Sequence, residues 1–379
     1  MPGVRRADDA TGVTNLELFY DLVFVFAITQ VSHGLLAHLT WDGAGQTLVI
    51  LLAIWWTWNF TTWATNELDP DSSAVRGLLI FLMLASLTMA IAIPEAFGER
   101  SLLFAGAYVI IQLSRSAFLS FLGGEPGSLE RERAGNLLRW FAISSPLWIA
   151  GGVADGPLRT VLWIAAIAWD YAGPLVTFHL PGRPMAPDAW RVEPEHMAER
   201  FQLFVIIALG ESIVVTGSTT SDLDLDLARA AAFALAFLGA AALWWLYFGG
   251  VADNVGRMLA RATGDRTLVA RDLFTYLHVI LIAGIVVSAV GNEIVIAHPN
   301  ETLDNHDVLA VVAGPILYLL AQDLMRFRAS RDLSRTRTAG ILACVAVGFA
   351  APHVSALITA ALLVVVLAAV ILWTARMRG

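Results

Sequence analysis

A chain of 379 residues with 57% hydrophobic side chains, only 15% charged ones and a mean hydropathy of +0.67 is too apolar for a water-soluble protein, which would carry nearer a quarter charged residues. The surplus apolar surface needs lipid to face, and long apolar runs rather than alternating strands exclude a β-barrel of the outer-membrane kind. The net charge of −8 decides little, because in a membrane protein the location of charge outweighs its sum; no nucleic-acid partner is expected. The single cysteine, Cys344, excludes an intrachain disulfide, and every basic residue is an arginine.

Residues 1–14 are polar and read as a cytoplasmic N-terminus. No small-residue cleavage site follows the first apolar run, so that run is read as a retained span rather than a signal peptide. In chain order the apolar runs fall at 15–38, 44–65, 74–94, 101–122, 137–153, 158–180, 196–217, 228–250, 268–291, 307–326, 338–351 and 354–375. A span takes roughly 20 residues, so the fold class expected is an all-α polytopic membrane protein with about twelve transmembrane helices; the fifth and eleventh are the weakest because they are short. Arginines crowd the two ends and the even-numbered loops, while the odd loops hold only Arg100, Arg159 and Arg229. By the positive-inside rule both termini are cytoplasmic, and a bacterial inner-membrane location is expected.

The halves echo each other. Leu22-Val-Phe-Val-Phe-Ala-Ile-Thr-Gln30 resembles Leu203-Phe-Val-Ile-Ile-Ala-Leu-Gly-Glu211; Trp55-Trp56 matches Trp244-Trp245; Ile93-Pro-Glu95 and Gly291-Asn-Glu293 close spans three and nine; Tyr108-Val-Ile-Ile-Gln112 matches Tyr318-Leu-Leu-Ala-Gln322. Four matches in one order argue for duplication, with residues 15–180 and 196–379 as six-helix repeats joined by a cytoplasmic linker, 181–195. An even number of spans per half makes the repeats parallel. Ser144-Ser145-Pro146 in span five and Ala351-Pro352 at the end of span eleven mark corresponding interrupted segments, a pointer to a transport site.

Thr14-Asn-Leu-Glu17 has the form of a capping box, and Asp21 lies one turn deeper on the same face. Glu211 lies twelve residues beyond Glu199, roughly 18 Å into a core of about 30 Å, where a charge costs about 2.5–3.5 kcal/mol; Ser212 follows it, and Gly210 offers a close helix contact as the alternative account. Asp170, Arg115, His33 and His278 also fall within spans, and Gln30 is the counterpart of Glu211. His196, Glu199 and Arg200 open span seven, with Asn66, Asp69 and Asp71 after span two. Asp222-Leu-Asp-Leu-Asp226 reads as a solvated face. The proton or substrate pathway expected from these residues takes in Asp21, Gln30, His33, Arg115, Asp170, His196, Glu199, Arg200, Glu211 and Ser212. Trp55, Trp56, Trp58, Trp244 and Trp245 are candidates for an aromatic cavity, with packed core as the alternative. Neither a Walker loop nor a zinc or haem motif is present.

The span-one stretch, Trp55-Trp-x-Trp58 followed by Asn66, Asp69, Asp71 and Arg76, and His196-x-x-Glu-Arg200…Ala208-Leu-Gly-Glu-Ser212 together resemble the bacterial low temperature requirement protein A (LtrA) family through most of the chain. The resemblance implies a polytopic membrane protein named for a growth requirement in the cold, and no settled reaction. Two main functions stay open. The first is a secondary transporter or permease for a small solute or ion, proton-coupled through buried carboxylates and needing no cofactor. The second is a membrane-embedded enzyme on a lipid or isoprenoid diphosphate, with Mg²⁺ held near Asp69 and Asp71. A third is a non-catalytic membrane-homeostasis protein. The lipid bilayer is the expected surround, with a small solute or lipid-like ligand as partner.

Overall fold

A computed structural model describes residues 12–123, 125–182, 193–221, 223–224, 226–251 and 266–377. Most of the expected linker, the first eleven residues, Arg257, Arg261 and Asp222 lie outside the described residues. Among the described residues the chain is helical, with isolated bridges such as that of Thr302 to Ser355 in place of strands. The long helices are α1 (Asn15–Ala37), α2 (Trp41–Thr65), α3 (Ser73–Ala92), α4 (Ser101–Leu122), α5 (Leu129–Val153), α6 (Gly156–Leu175), α7 (Pro194–Ser221), α8 (Leu227–Leu246), α9 (His278–Ala297), α10 (Asn305–Ser330), α11 (Arg335–Ala350) and α12 (Ala356–Arg376).

Eight of these are long and apolar enough to cross a membrane: α1, α3, α4, α7, α8, α9 with the turns before it, α10 and α12. Twelve spans were expected, and the four that fall short do so for visible reasons. Helix α11 has 16 residues. Helix α5 opens on the polar turns Leu129-Glu-Arg-Glu-Arg133, so it is 25 residues long where a short segment was expected, and Pro146 sits inside it without ending it. Helix α6 carries Arg159 and Asp170, and α2 carries a polar stretch described below.

Side-chain caps set several starts. Ser128 accepts from Arg131 N, Asp226 from Arg229 N, Asp304 from His306 N and Asp307 N, and Ser355 from Ile358 N, each satisfying amides that the helix leaves unpaired. Asp226, read as a solvated face, is therefore a cap.

Contacts divide the chain into two compact units. The first takes the described parts of Met1–Gly34, Gly45–Arg200 and Thr263–Arg271; the second takes Leu35–Ala44, Phe201–Ala262 and Asp272–Gly379. One boundary falls inside α7, between Arg200 and Phe201. The core of the first unit is aromatic: Trp56 stacks on Tyr171 at 3.9 Å, and Phe60 meets Phe141 and Phe178 edge-on. In the second, α9 and α10 approach so closely that a Cβ added at Gly284 would lie 2.7 Å from Tyr318 N. Small residues at such a contact are the usual device of membrane helices. Gly210, by contrast, faces open space.

Candidate functional site

The capping box at the start of α1 forms as expected, and it does more than start the helix. Thr14 N and Thr14 Oγ1 each donate to Glu17 Oε2 at 2.9 Å, and Glu17 N reaches back to Thr14 Oγ1 at 3.4 Å. With Oε2 so engaged, Oε1 turns inward. There it meets His196 Nε2 at 2.9 Å and Arg200 Nη1 at 3.6 Å. One turn along α1, Asp21 Oδ1 accepts from Arg200 Nη2 at 2.7 Å and from Trp58 Nε1 at 2.8 Å. The pairs Glu17/Asp21 and His196/Arg200 each have a four-residue spacing, so each presents both members on one helix face. All four side chains are 0% exposed.

Helix α2 is the rail along which these groups are arranged. From Ala53 to Asn66 every residue is buried. Asn66 Oδ1 lies 3.3 Å from His196 Nδ1, Thr62 Oγ1 accepts from Arg200, and Trp58 holds Asp21. Deeper, Thr61 Oγ1 accepts from Tyr20 Oη at 3.0 Å and from Arg115 Nη1 at 3.3 Å, and the Thr57 carbonyl also accepts from Arg115. The steps from Asn66 to Thr57 cover roughly 14 Å of helix at 1.5 Å per residue. Arg115 is completed by Gln112 and by the rings of Phe60 and Phe141, 5.5 and 5.8 Å from its guanidinium carbon.

Beyond Arg115 lies Asp170, whose charge acts on it through space. Asp170 Oδ2 accepts from Tyr108 Oη at 2.7 Å and Trp148 Nε1 at 3.1 Å. The first unit thus contains a series of buried polar clusters from Glu17 to Asp170, contributed by α1, α2, α4, α5, α6 and the first turns of α7. Asp21 Oδ2, Asp170 Oδ1, Arg200 Nε and Arg200 Nη1 lack hydrogen-bond partners along it. A buried polar atom without a partner costs about 1–3 kcal/mol.

Of the residues expected to form a pathway, Asp21, Arg115, Asp170, His196 and Arg200 come together here. Glu199 does not: it is exposed on α7 and accepts from Val13 N. His33 is exposed on α1, and Gln30 is half-buried. In the second unit Glu211 and Ser212 are buried, Glu211 Oε1 without a partner. Ser212 lines a cavity of about 40 Å³ with Ser288 and Asn292 among apolar side chains. His278, also in the second unit, is buried against Phe201, Phe274 and Tyr247.

The tryptophans and the acidic loop residues lie elsewhere. Trp55, Trp56 and Trp58 are at most 1% exposed, Trp55 against Trp58 and Trp56 against Phe60 and Tyr171, in the manner of a packed core. Trp244 and Trp245 are 47% and 59% exposed on the outside of α8, because the four-residue turn of that helix puts Ala240, Leu243 and Tyr247 inward instead. Asp69 and Asp71 were the residues expected to hold Mg²⁺ in an enzyme. Asp71 is exposed and pairs with Arg76, and Asp69 accepts from the Asp71 amide; among the described residues no three His, Cys, Asp or Glu side chains converge as a metal ion would require.

Sequence reasoning left Glu17, Thr57, Thr61, Thr62, Tyr20, Tyr108, Gln112 and Trp148 out of the site. One signal was legible: Thr57, Thr61 and Thr65 recur at helical spacing in a segment otherwise rich in tryptophan.

An all-helical chain with eight spanning-competent helices and an ionised interior is a multi-pass membrane protein. It belongs to the family described as bacterial low temperature requirement A protein (LtrA), whose model matches residues 12–372. An uncharacterised protein of Rhizobium meliloti (strain 1021) is 38% identical over 375 residues, covering 97% of this chain and 90% of that protein. No solved structure matches.

Proposed function

We propose that this protein is a secondary transporter or permease for a small solute or ion, coupled to protons through the buried carboxylates of the first unit. The observation that carries the reading is the dry polar track from Glu17 to Asp170. Isolated charges within a membrane are costly and are kept where they pair, relay protons or line a path, and a track of three carboxylates, two guanidiniums and one imidazole exceeds what helix capping requires. Buried Glu211 and the small cavity at Ser212 offer the second unit a comparable group. The reading takes the chain as twelve helices in two parallel six-helix repeats in the bacterial inner membrane, both termini cytoplasmic, which the arginine distribution and the matched motifs support. It needs no cofactor.

The test uses the full chain in proteoliposomes loaded with a pH-sensitive dye, challenged in turn with inward gradients of amino acids, sugars, polyamines and alkali salts. The expected result is that at least one solute class drives dye acidification by wild type, and that Asp21→Asn abolishes it. Vesicles of both proteins that respond identically, or that respond to none of the panel, overturn the reading.

A further inference from the structure

The hydrogen-bond geometry of His196 assigns it a particular role. Its Nε2 faces Glu17 Oε1 at 2.9 Å and its Nδ1 faces Asn66 Oδ1 at 3.3 Å. Both partners are acceptors. A neutral imidazole has one donor and one acceptor nitrogen, so with the Asn66 amide turned as it is here only the imidazolium satisfies both contacts. His278 shows the other case: Nδ1 donates to the Leu273 carbonyl at 2.8 Å, and Nε2 accepts from the Tyr247 hydroxyl at 3.0 Å. Nothing there calls for a second proton.

Charge counting leads to the same place. Around His196 lie Glu17 and Asp21 from α1, and Arg200 from its own helix. Helix α2 contributes the neutral Thr62 and Trp58, and the residue after it Asn66. Glu67, next along the chain, is matched by Arg133 of α5. Further along the track Arg115 of α4 stands with Asp170 of α6. Two carboxylates against one guanidinium leave the quartet one positive charge short, in a place that is 0% exposed, where an uncompensated charge is expensive. Asp21 Oδ2, a carboxylate oxygen without a hydrogen-bond partner, lies on the side of the quartet where that deficit falls.

We infer that Glu17, His196 and Asn66 form the seat of a single exchangeable proton, with the Asn66 side-chain amide as its latch. In the closed state the proton is held on the imidazolium, Nε2–H donating to Glu17 and Nδ1–H to Asn66, and the quartet is neutral. On release the Nδ1 proton passes to water or to solute, the quartet becomes singly negative, and Nδ1 becomes an acceptor facing another acceptor. Rotating the Asn66 amide by a half turn presents Nδ2–H to it and relieves that conflict. One proton thus switches both the charge of the buried end of the track and the orientation of a group on the residue that follows α2, the rail that holds the rest. The inference rests on the transporter reading only for its role in coupling; the proton itself is tested without any flux.

The decisive measurement is ¹⁵N NMR of the full-length protein labelled at histidine, in lipid nanodiscs. Wild type should show one imidazolium with both ring nitrogens protonated, and Glu17→Gln should convert that signal to a neutral imidazole, since Asp21 and Arg200 then balance without a proton. His196→Gln should remove it. Thermal melting supplies a second readout. His196→Gln should lower Tm, and adding Glu17→Gln should restore most of the loss by removing the unbalanced carboxylate; a purely structural role predicts losses that add. If His196→Gln alone does not fold while the double variant does, that is the same result in stronger form. A neutral His196 in wild type, or additive losses, overturns the inference. So does a wild-type Tm that rises when choline chloride is exchanged for sodium or potassium chloride, which would make the missing charge a bound alkali cation.

Discussion

Replacing Arg200 with methionine keeps much of the side-chain volume and removes the cation between Glu17 and Asp21. The Arg200 Nη2 to Asp21 Oδ1 distance is 2.7 Å, at which unit charges attract by about 6 kcal/mol at an effective dielectric constant of about 20. Part of that attraction only repays the desolvation of the pair. Removing one partner of a buried pair nevertheless strands the other, at a net cost of about 3–5 kcal/mol. At about 2–4 °C per kcal/mol for a unit of roughly 200 residues, Tm should fall by about 6–20 °C. The assay is a thermal melt of purified full-length protein, run as a cycle with Asp21→Asn and with Asp21→Asn/Arg200→Met. The double variant, with no stranded carboxylate at Asp21, should melt above Arg200→Met alone. A Tm for Arg200→Met within the scatter of wild type, or a double variant no better than the single, refutes the buried pairing.

The two groups of tryptophans should respond differently in the same melting assay. Trp56→Ala empties a site stacked on Tyr171 and should cost about 3–5 kcal/mol, whereas Trp244→Ala, on the outside of α8, should stay within about 0.5 kcal/mol of wild type; equal losses would contradict the packing described. Tyr108→Phe removes the hydroxyl bonded to Asp170 Oδ2 and should cost about 1–3 kcal/mol by leaving a buried acceptor short of a donor. Added to Asp170→Asn the same change should cost measurably less, and strict additivity of the two would argue against their contact.

What composition and spacing made legible was the kind of molecule. A mean hydropathy of +0.67 forces lipid contact, and the capping box at Thr14–Glu17 was visible because it is a local pattern, satisfied within four residues. The Asp21, His196 and Arg200 candidates were also legible, since ionised groups in apolar runs demand an explanation wherever they occur. Their partners were not. Glu17 and His196 are 179 positions apart, and no periodicity along one helix reports which face another helix will cover. The same limit explains the misplaced residues. Glu199 lies beside two buried neighbours in the chain, yet the turn of α7 points it outward. Trp244 and Trp245 carry the same pair of letters as Trp55 and Trp56, but α2 is enclosed by its neighbours while that face of α8 is not.

The span count illustrates the boundary between the two kinds of knowledge. Apolarity identifies a helix that can face lipid, so eight helices declare themselves. Helix α2 does not, because its threonines and Asn59 are polar, yet from Ala53 to its end every residue is buried. A side chain's cost in the membrane depends on what it touches: a threonine or arginine facing lipid is penalised, and the same residue bonded to Tyr20, Gln112 or Asp21 is not. Hydrophobicity is a property of each residue and can be summed along a chain, whereas pairing is a property of two residues brought together, and only folding brings them there.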